Sequence, residues 1–279
     1  MKEPVFRILS DVHWGHSASL VREAAMLDPL FEGADKVIFN GDTVEMKDIP
    51  DLRREELLER VEHLTERVRR AGAEPLLITG NHDPFVPGVD LHREADGKIL
   101  LTHGDCIFTG LTPWSHDADD LHRHLEAILA GEKNRDGDPA VRLAGAAREA
   151  YRRLFRQLHR NRSGSFATLR LYCRQMWPPY RPISILHYWW KTPELALRWV
   201  ESFAPQTDIF IMGHTHRPGI WKHPRTGRPP LLVCNTGSFM PFLGRLCLDW
   251  NGSTLRIRGI TAKNGRFYPG REKAVYELD

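Results

Sequence analysis

Five short apolar runs in this chain end in clusters of the same chemistry, and that recurrence constrains the fold more than any other feature. Val5–Leu9 leads into Asp11-Val12-His13, Lys36–Asn40 into Asn40-Gly41-Asp42, and Pro75–Ile78 into Gly80-Asn81-His82-Asp83. Ile99–Leu101 precedes His103-Gly104-Asp105, and Asp208–Met212 precedes Gly213-His214-Thr215-His216. Apolar runs bounded by Gly, Asn and Asp read as strands. In an open α/β sheet the carboxyl ends of parallel strands lie along one edge, where ligands bind. Five polar ends would therefore converge.

Between these runs the pattern changes to helical, as in α/β proteins. Ala18–Phe31 reads as a helix, and Arg53–Ala71 carries Leu57, Leu58, Val61, Leu64 and Val68 at helical spacing amid Glu and Arg. That spacing predicts an amphipathic surface helix. From about Trp114 to Ala204 the sequence is helix-like, rich in arginine and aromatics, with few strand signals. Strand patterning resumes at Asp208–Met212, Leu231–Cys234, Arg245–Asp249 and Thr254–Ile260. An α/β body, 1–113 and 205–279, is expected to be interrupted by a helical insertion, 114–204.

The 279 residues suffice for one large domain carrying such an insertion. The four cysteines are widely separated and form no CxxC pair, so neither a zinc ribbon nor a disulfide framework is expected. There is no charged-then-apolar leader and no run approaching the ~20 apolar residues of a membrane span. The expectation is a soluble, cytoplasmic protein. A net charge of +3 is too small to imply a nucleic-acid partner by itself.

The chemistry of the five clusters suits divalent cations. Carboxylates and an amide oxygen are hard ligands, and imidazoles suit Mn, Fe, Zn or Co. Asp11 and His13, two apart, leave a strand end on the same side, as do His214 and His216. Two metals sharing one carboxylate need about this donor set, and a pair ~3.5–4 Å apart clamps both the attacking and leaving oxygens of a phosphoryl group. Each cluster has a plainer reading: D-x-H as a cap or turn, N-G-D as a turn, and G-N-H-D as a group of turn formers. Their order, each after a strand, favours a shared site.

With these motifs the sequence resembles the calcineurin-like metallophosphoesterases. The pattern D-x-H, G-D, G-N-H-D/E, H-G and G-H-x-H is met by Asp11/His13, Gly41/Asp42, Gly80–Asp83, His103/Gly104 and Gly213–His216. The resemblance covers roughly 4–105 and 205–250 and implies a four-layer αββα sandwich with a dinuclear site at the sheet edge. It implies Asp11, His13 and His216 on one metal, Asn81, His103 and His214 on the other, and Asp42 bridging. Manganese is the first choice for both metals, with Fe, Zn, Co or Ni accepted. A hydroxide between the metals is the implied nucleophile, attacking phosphorus in line. His82, not a ligand, is implied to donate a hydrogen bond or proton near the leaving-group oxygen. Glu45 stands where it could orient His82, the competing reading being a solvated loop carboxylate. Asn235–Ser238 reads as a loop lining the site or as a plain turn. Asp83 and Asp105 are expected to hold their loops, and His16 either reaches a substrate phosphate or lies at the surface.

The insertion carries ten arginines and one acid, Glu149, between Val141 and Pro182, which points to an anionic partner. Tyr151, Leu154, Phe155 and Leu158 follow helical spacing, with Arg152, Arg153, Arg156 and Arg160 on the remaining surface. These arginines are candidates for substrate binding, or a solvated basic face. Met176–Tyr180 and Tyr188–Trp190 add aromatic mass for a cap core, a substrate wall or contact with a membrane surface. An arginine-rich helical cap after H-G-D is similar in position and character to that of the UDP-2,3-diacylglucosamine pyrophosphohydrolases, which implies a nucleotide-linked acyl sugar and a place at the inner face of a membrane. The sequence departs from them in having His82 where they carry arginine. The expected activity is metal-dependent hydrolysis of phosphoric esters or anhydrides on a small phosphorylated or nucleotide-linked substrate. A nuclease or phosphodiesterase and a non-catalytic scaffold are the competing classes, and a scaffold has no need of a full ligand set plus His82.

Overall fold

The computed structural model describes residues 3–47, 54–108, 118–131, 137–161 and 181–278, without the side chains of 108, 118, 157–161 and 181–184. The chain divides into two compact units, Met1–His103 with Gln206–Asp279, and Gly104–Pro205.

The first unit is built on two sheets. One has six strands in the order β11-β10-β9-β1-β2-β3. Here β1 is Phe6–Leu9, β2 Lys36–Asn40, β3 Glu74–Ile78, β9 Leu246–Trp250, β10 Thr254–Lys263 and β11 Arg266–Glu277. The strands β1, β2 and β3 run parallel, whereas β9, β10 and β11 join as antiparallel neighbours. The second sheet has the order β4-β5-β6-β8-β7. Its strands are β4 (His92–Glu94), β5 (Ile99–Leu101), β6 (Ile209–Met212), β7 (Gly219–Arg225) and β8 (Arg228–Asn235), with β5, β6 and β8 parallel.

Strands buried on both faces read as unbroken apolar runs, and β5 and β6 are buried at every position. Ile8, Ile38, Ile78, Leu248 and Ile257 of the first sheet form one core with Ile99, Leu101, Ile209, Ile211 and Leu232 of the second. The two sheets therefore pack face to face, as expected of the metallophosphoesterase sandwich. On the other face of the first sheet, Phe39 meets Phe31 with ring centroids 6.0 Å apart. There helix α1, Arg54–Arg70, buries Leu57, Val61, Leu64 and Val68, a single stripe.

The helix expected over Ala18–Phe31 is reduced to a 3-10 helix, Ala24–Leu30, with Pro29 inside it. Upstream, local side-chain bonds compete with helical ones: Ser19 Oγ donates to the Val12 carbonyl and accepts from the Val21 N–H, and His16 Nδ1 accepts from the Ala18 N–H. The strands that sequence patterning did not reveal, β4, β7 and β11, all lie at sheet edges. Edge strands carry more polar and charged residues and are half-solvated, so their apolar signal is weak.

In the second unit a short 3-10 helix, Asp105–Phe108, precedes α2 (Ala118–Gly131), α3 (Pro139–Asn161) and α4 (Arg181–Phe203). Asp138 Oδ1 accepts the Ala140 N–H at 2.9 Å and caps α3. The buried stripe of α3 is Ala140, Ala144, Ala147, Tyr151, Leu154 and Phe155. Arg148, also buried, pairs with Asp105 at 3.1 Å and lies over the Tyr151 ring. On the opposite face Arg152, Arg153 and Arg156 lie 3.9, 3.3 and 3.8 Å from Glu149. Of the aromatic group on α4, Tyr188 is buried and Trp190 exposed. Met176–Tyr180 and the side chains of Leu158 and Arg160 lie outside the described residues. Among the described residues, no helix is long and apolar enough to cross a membrane.

A charged side chain interrupts the apolar run of β1. Arg7 points away from the inter-sheet core and grips Asp249 of β9 in a two-pronged pair, Nε at 2.7 Å and Nη2 at 3.0 Å. Its Nη1 donates to the Leu30 and Glu32 carbonyls, each at 3.0 Å. Both side chains are over nine-tenths buried. Removing one partner strands a charge, which typically costs ~3–5 kcal/mol. Urea unfolding of Arg7→Met should show a loss of about that size, and adding Asp249→Leu should recover part of it. A loss under ~1 kcal/mol for Arg7→Met alone would refute the pair's structural role.

Candidate metal centre

The loops after β1 and β2 continue the parallel pairing of their strands. Asp11 N–H donates to the Gly41 carbonyl, His13 N–H to Asp42, Trp14 N–H to Thr43, and Glu45 N–H to Trp14, at 2.9–3.1 Å. The Asp83 carboxylate gathers the neighbouring backbone by accepting the N–H groups of Gly80, Asp42, Thr43 and Val44 at 2.7–3.2 Å. Asn40, the last residue of β2, ties the two sheets together. Its Nδ2 donates to the Thr102 and Ile211 carbonyls at 3.0 and 3.3 Å.

The loops approach so closely that side chains are excluded at some positions. A Cβ on Gly41, whose φ is +86°, would strike the His103 ring, and one on Gly213 would strike the Asp11 carboxylate. Nine described non-glycine residues have positive φ. Five of them are Asp11, His13, Asp42, His214 and His216. A left-handed backbone at a non-glycine residue is strained, and such strain concentrates where function demands it.

Two groups of donors result. In the first, His216 Nε2 lies 3.1 Å from Asp11 Oδ1 and 3.1 Å from His13 Nε2. Ligand atoms of Asp11, His13, Asp42 and His216 all lie within 4.8 Å of one another. In the second, Asn81 Oδ1 lies 3.0 Å from His103 Nε2 and 2.8 Å from His214 Nδ1. Asp42 stands between them, its Oδ2 3.6 Å from His13 Nε2 and 3.2 Å from His103 Nε2. That oxygen is buried and accepts no hydrogen bond among the described residues. A buried carboxylate oxygen left in this state costs free energy unless something positive occupies the space before it. The donor set of carboxylates, imidazoles and one amide oxygen fits divalent cations.

Neighbouring groups fix which ring nitrogens face inward. His103 Nδ1 lies 3.1 Å from the Asn40 carbonyl, which only accepts, so Nδ1 carries the proton and Nε2 offers a lone pair. The Asp11 carboxylate is oriented by Ser10 Oγ, itself bonded to Thr236, and accepts the His214 N–H at 3.1 and 3.2 Å. Phe239 N–H donates to the Asp11 carbonyl, and Asn235 Nδ2 to the Gly213 carbonyl and Thr215 Oγ1. The Asn235–Ser238 segment thus braces the site from behind.

Electrostatics follow from burial opposed by charge. Burial pushes the Asp42 carboxyl up, but His103, His82 and His13 together hold it well below the usual carboxylate range. Burial likewise raises Glu45, and His82 with His13 outweighs it and holds Glu45 well below its ordinary value. Asp11 is lowered by His216 against its burial. Burial lowers His13, yet Glu45, Asp42 and Asp11 raise it overall, whereas His216 is lowered because burial prevails. Asp83 is pushed up to about 6 by burial and by the charge of Asp42.

Among the remaining candidates, Glu45 is fully buried between His13 and His82, which rules out a solvated loop carboxylate. His16 is half-buried with its ring centroid 6.3 Å from that of His13, its Nδ1 occupied by the Ala18 N–H. Asn40 is read from sequence only as part of the Asn40-Gly41-Asp42 cluster and Thr236 only within Asn235–Ser238; the bracing roles of these two and of Ser10 come from the structure. Their signal was a polar residue at the end of a buried strand.

No curated protein sequence matches this chain. Among solved structures it is similar to Vacuolar Protein Sorting 29 from Cryptosporidium parvum, at 12% identity over all of both chains and a TM-score of 0.46. A dimetal phosphatase from Danio rerio matches at 13% identity over 93% of this chain and 96% of that one, TM-score 0.45. A conserved uncharacterised protein from Streptococcus pneumoniae, described as a predicted phosphoesterase, matches at 15% identity over 100% and 99%, TM-score 0.41. The model of the calcineurin-like phosphoesterases matches residues 5–218, and the chain belongs to that family of divalent-metal phosphoesterases.

Proposed function

We propose that this enzyme hydrolyses phosphoric esters or anhydrides with two divalent cations held at the strand ends, manganese being the first candidate. The observation that carries this reading is Asp42 Oδ2, buried without a hydrogen bond among the described residues and flanked by His13 Nε2 and His103 Nε2. Asp11, His13 and His216 would hold one cation, Asn81, His103 and His214 the other, and Asp42 both. When bound, the cations supply Lewis acidity at a phosphoryl oxygen and acidify a water.

The proton on the leaving side falls to His82. Its Nδ1 lies 2.9 Å from Glu45 Oε2 and 3.0 Å from Oε1, so it donates there and Nε2 is the end turned to substrate. The His82 side chain keeps 19% of its exposure, while His13 and His103 are fully covered. This exposure supports His82 as the group that meets a leaving-group oxygen from the open side. Asp42 Oδ1 accepts the His82 backbone N–H at 2.7 Å, so the carboxylate shared by the metals also sets the loop that carries the proton donor.

The substrate we propose is a small phosphorylated or nucleotide-linked molecule, its negative charge met by the arginines of α3. Ten arginines against one acid over 141–182 support that reading. His82 in place of an arginine favours a substrate other than the diacylglucosamine nucleotide.

Assays in Mn²⁺ on monoester, diester and nucleotide-diphosphate substrates should find turnover on at least one class, and none on any would overturn the proposal. Asp42→Asn should lower metal content and abolish most activity. His82→Ala should retain both metals, counted by elemental analysis, and lose about 10²–10⁴-fold in kcat. Full activity of Asp42→Asn with under one metal per chain would defeat the dinuclear reading. Charge reversal at Arg152 and Arg156 should raise KM for the physiological class about tenfold or more while sparing a generic aryl phosphate, since a charge-assisted hydrogen bond contributes ~1.5–3 kcal/mol. Equal effects on both substrates would leave α3 a purely structural helix.

A further inference from the structure

We infer that Glu45 is a positioning residue for His13 as well as for His82, so that a single carboxylate oxygen sets a metal ligand and the proton donor together. This rests on the dinuclear reading above.

Glu45 Oε2 lies 3.0 Å from His13 Nδ1 and 2.9 Å from His82 Nδ1. The two rings stand at 90° with centroids 4.7 Å apart, so their Nδ1 atoms converge on that oxygen from different planes. A carboxylate oxygen only accepts, so both Nδ1 atoms donate. For His13 this leaves Nε2, with its lone pair, toward Asp11, Asp42 and His216, at 3.9, 3.6 and 3.1 Å. Hydrogen-bonded partners of this kind fix the tautomer and raise the basicity of a ligating histidine.

The backbone holds Glu45 to both loops. Its own N–H donates to the Trp14 carbonyl, one residue past His13, and the Met46 N–H donates to the His82 carbonyl. Trp14 and Val44 also pair as an isolated parallel bridge. The carboxylate can therefore shift little, and its chain length matters. Aspartate would withdraw the group by about one C–C bond, ~1.5 Å. Contacts near 3.0 Å do not survive that retreat on both sides.

The two roles separate by experiment. Mn²⁺ is titrated calorimetrically into metal-free wild type, Glu45→Gln, Glu45→Asp, His82→Ala and the His82→Ala/Glu45→Gln pair, each checked for a native melt. Loss of a ligand's hydrogen-bond partner typically costs 10–100-fold in metal affinity. That loss is expected for Glu45→Gln and to persist in the double variant, whereas His82→Ala alone should bind as wild type. Glu45→Asp should fall on the same side as Glu45→Gln. Long-range ¹⁵N spectra of histidine-labelled, metal-free wild type supply a measurement that needs no variant to fold, and His13 should carry its proton on Nδ1. Wild-type Mn²⁺ affinity in the Glu45 variants, or a His13 whose Nδ1 carries no proton, would overturn the inference. A third Mn²⁺ per chain that disappears with Glu45→Gln would also overturn it, since Glu45 would then be a ligand. A wild-type chain that binds no Mn²⁺ would instead remove the dinuclear reading, with the ¹⁵N spectra still deciding the role of Glu45.

Discussion

Asp11, Asp42 and Glu45 are buried at 0–1% exposure among one another, and the architecture of the site follows from that fact. Carboxylates taken out of water are costly unless positive charge or hydrogen bonds meet them. Among the described residues every ion pair of Asp11 and Asp42 is to a histidine. Histidine differs from lysine and arginine here, because an imidazole gives up its proton far more readily and can then offer a lone pair to a cation. The protein thus assembles strong acceptors and imidazole lone pairs where a cation would be held, and among the described residues neither Asp11 nor Asp42 pairs with lysine or arginine. It uses arginine elsewhere for that purpose, at Arg7–Asp249 and at Arg148–Asp105.

Keeping such donors in place demands a rigid frame, and the frame is backbone. Five of the site residues adopt left-handed conformations that an isolated chain would avoid. They persist because the surrounding bonds over-determine them. Asp83 takes four N–H groups, Asn40 joins one sheet to two carbonyls of the other, and the loops after β1 and β2 remain paired beyond their strands. A face-to-face sandwich suits this purpose, because the carboxyl ends of β1, β2 and β3 in one sheet and of β5 and β6 in the other reach a common edge. The metal groups divide otherwise: each draws residues from both sheets, and Asp42 lies where they meet.

Much of this was legible in the sequence, for a physical reason. Parallel strands buried on both faces must be apolar throughout, so their ends announce themselves when Asp, Asn, His and Gly appear, and all five clusters meet at the site. The edge strands β4, β7 and β11 gave no such signal, being half-solvated and charged. Nor could Ala18–Phe31 be foreseen as largely non-helical, because the bonds of Ser19 and His16 depend on where the β1 loop places them. Side chains that act on other side chains were hardest to read. Glu45 could be oriented toward His82 or be solvated, and only three-dimensional placement shows it between His82 and His13.

On the function proposed above, the same placement makes metal binding and proton donation parts of one unit. Asp42 presents Oδ2 to both donor groups and Oδ1 to the backbone of His82, while Glu45 presents one oxygen to His13 and His82. His82 is thus held twice, through its main chain by the shared carboxylate and through its ring by Glu45. A disturbance at either carboxylate reaches a ligand and the proton donor together. That linkage gives a structural reason for Glu45 to be buried. The role proposed for it, the orientation of two imidazoles, requires a charged acceptor held at fixed distance from each.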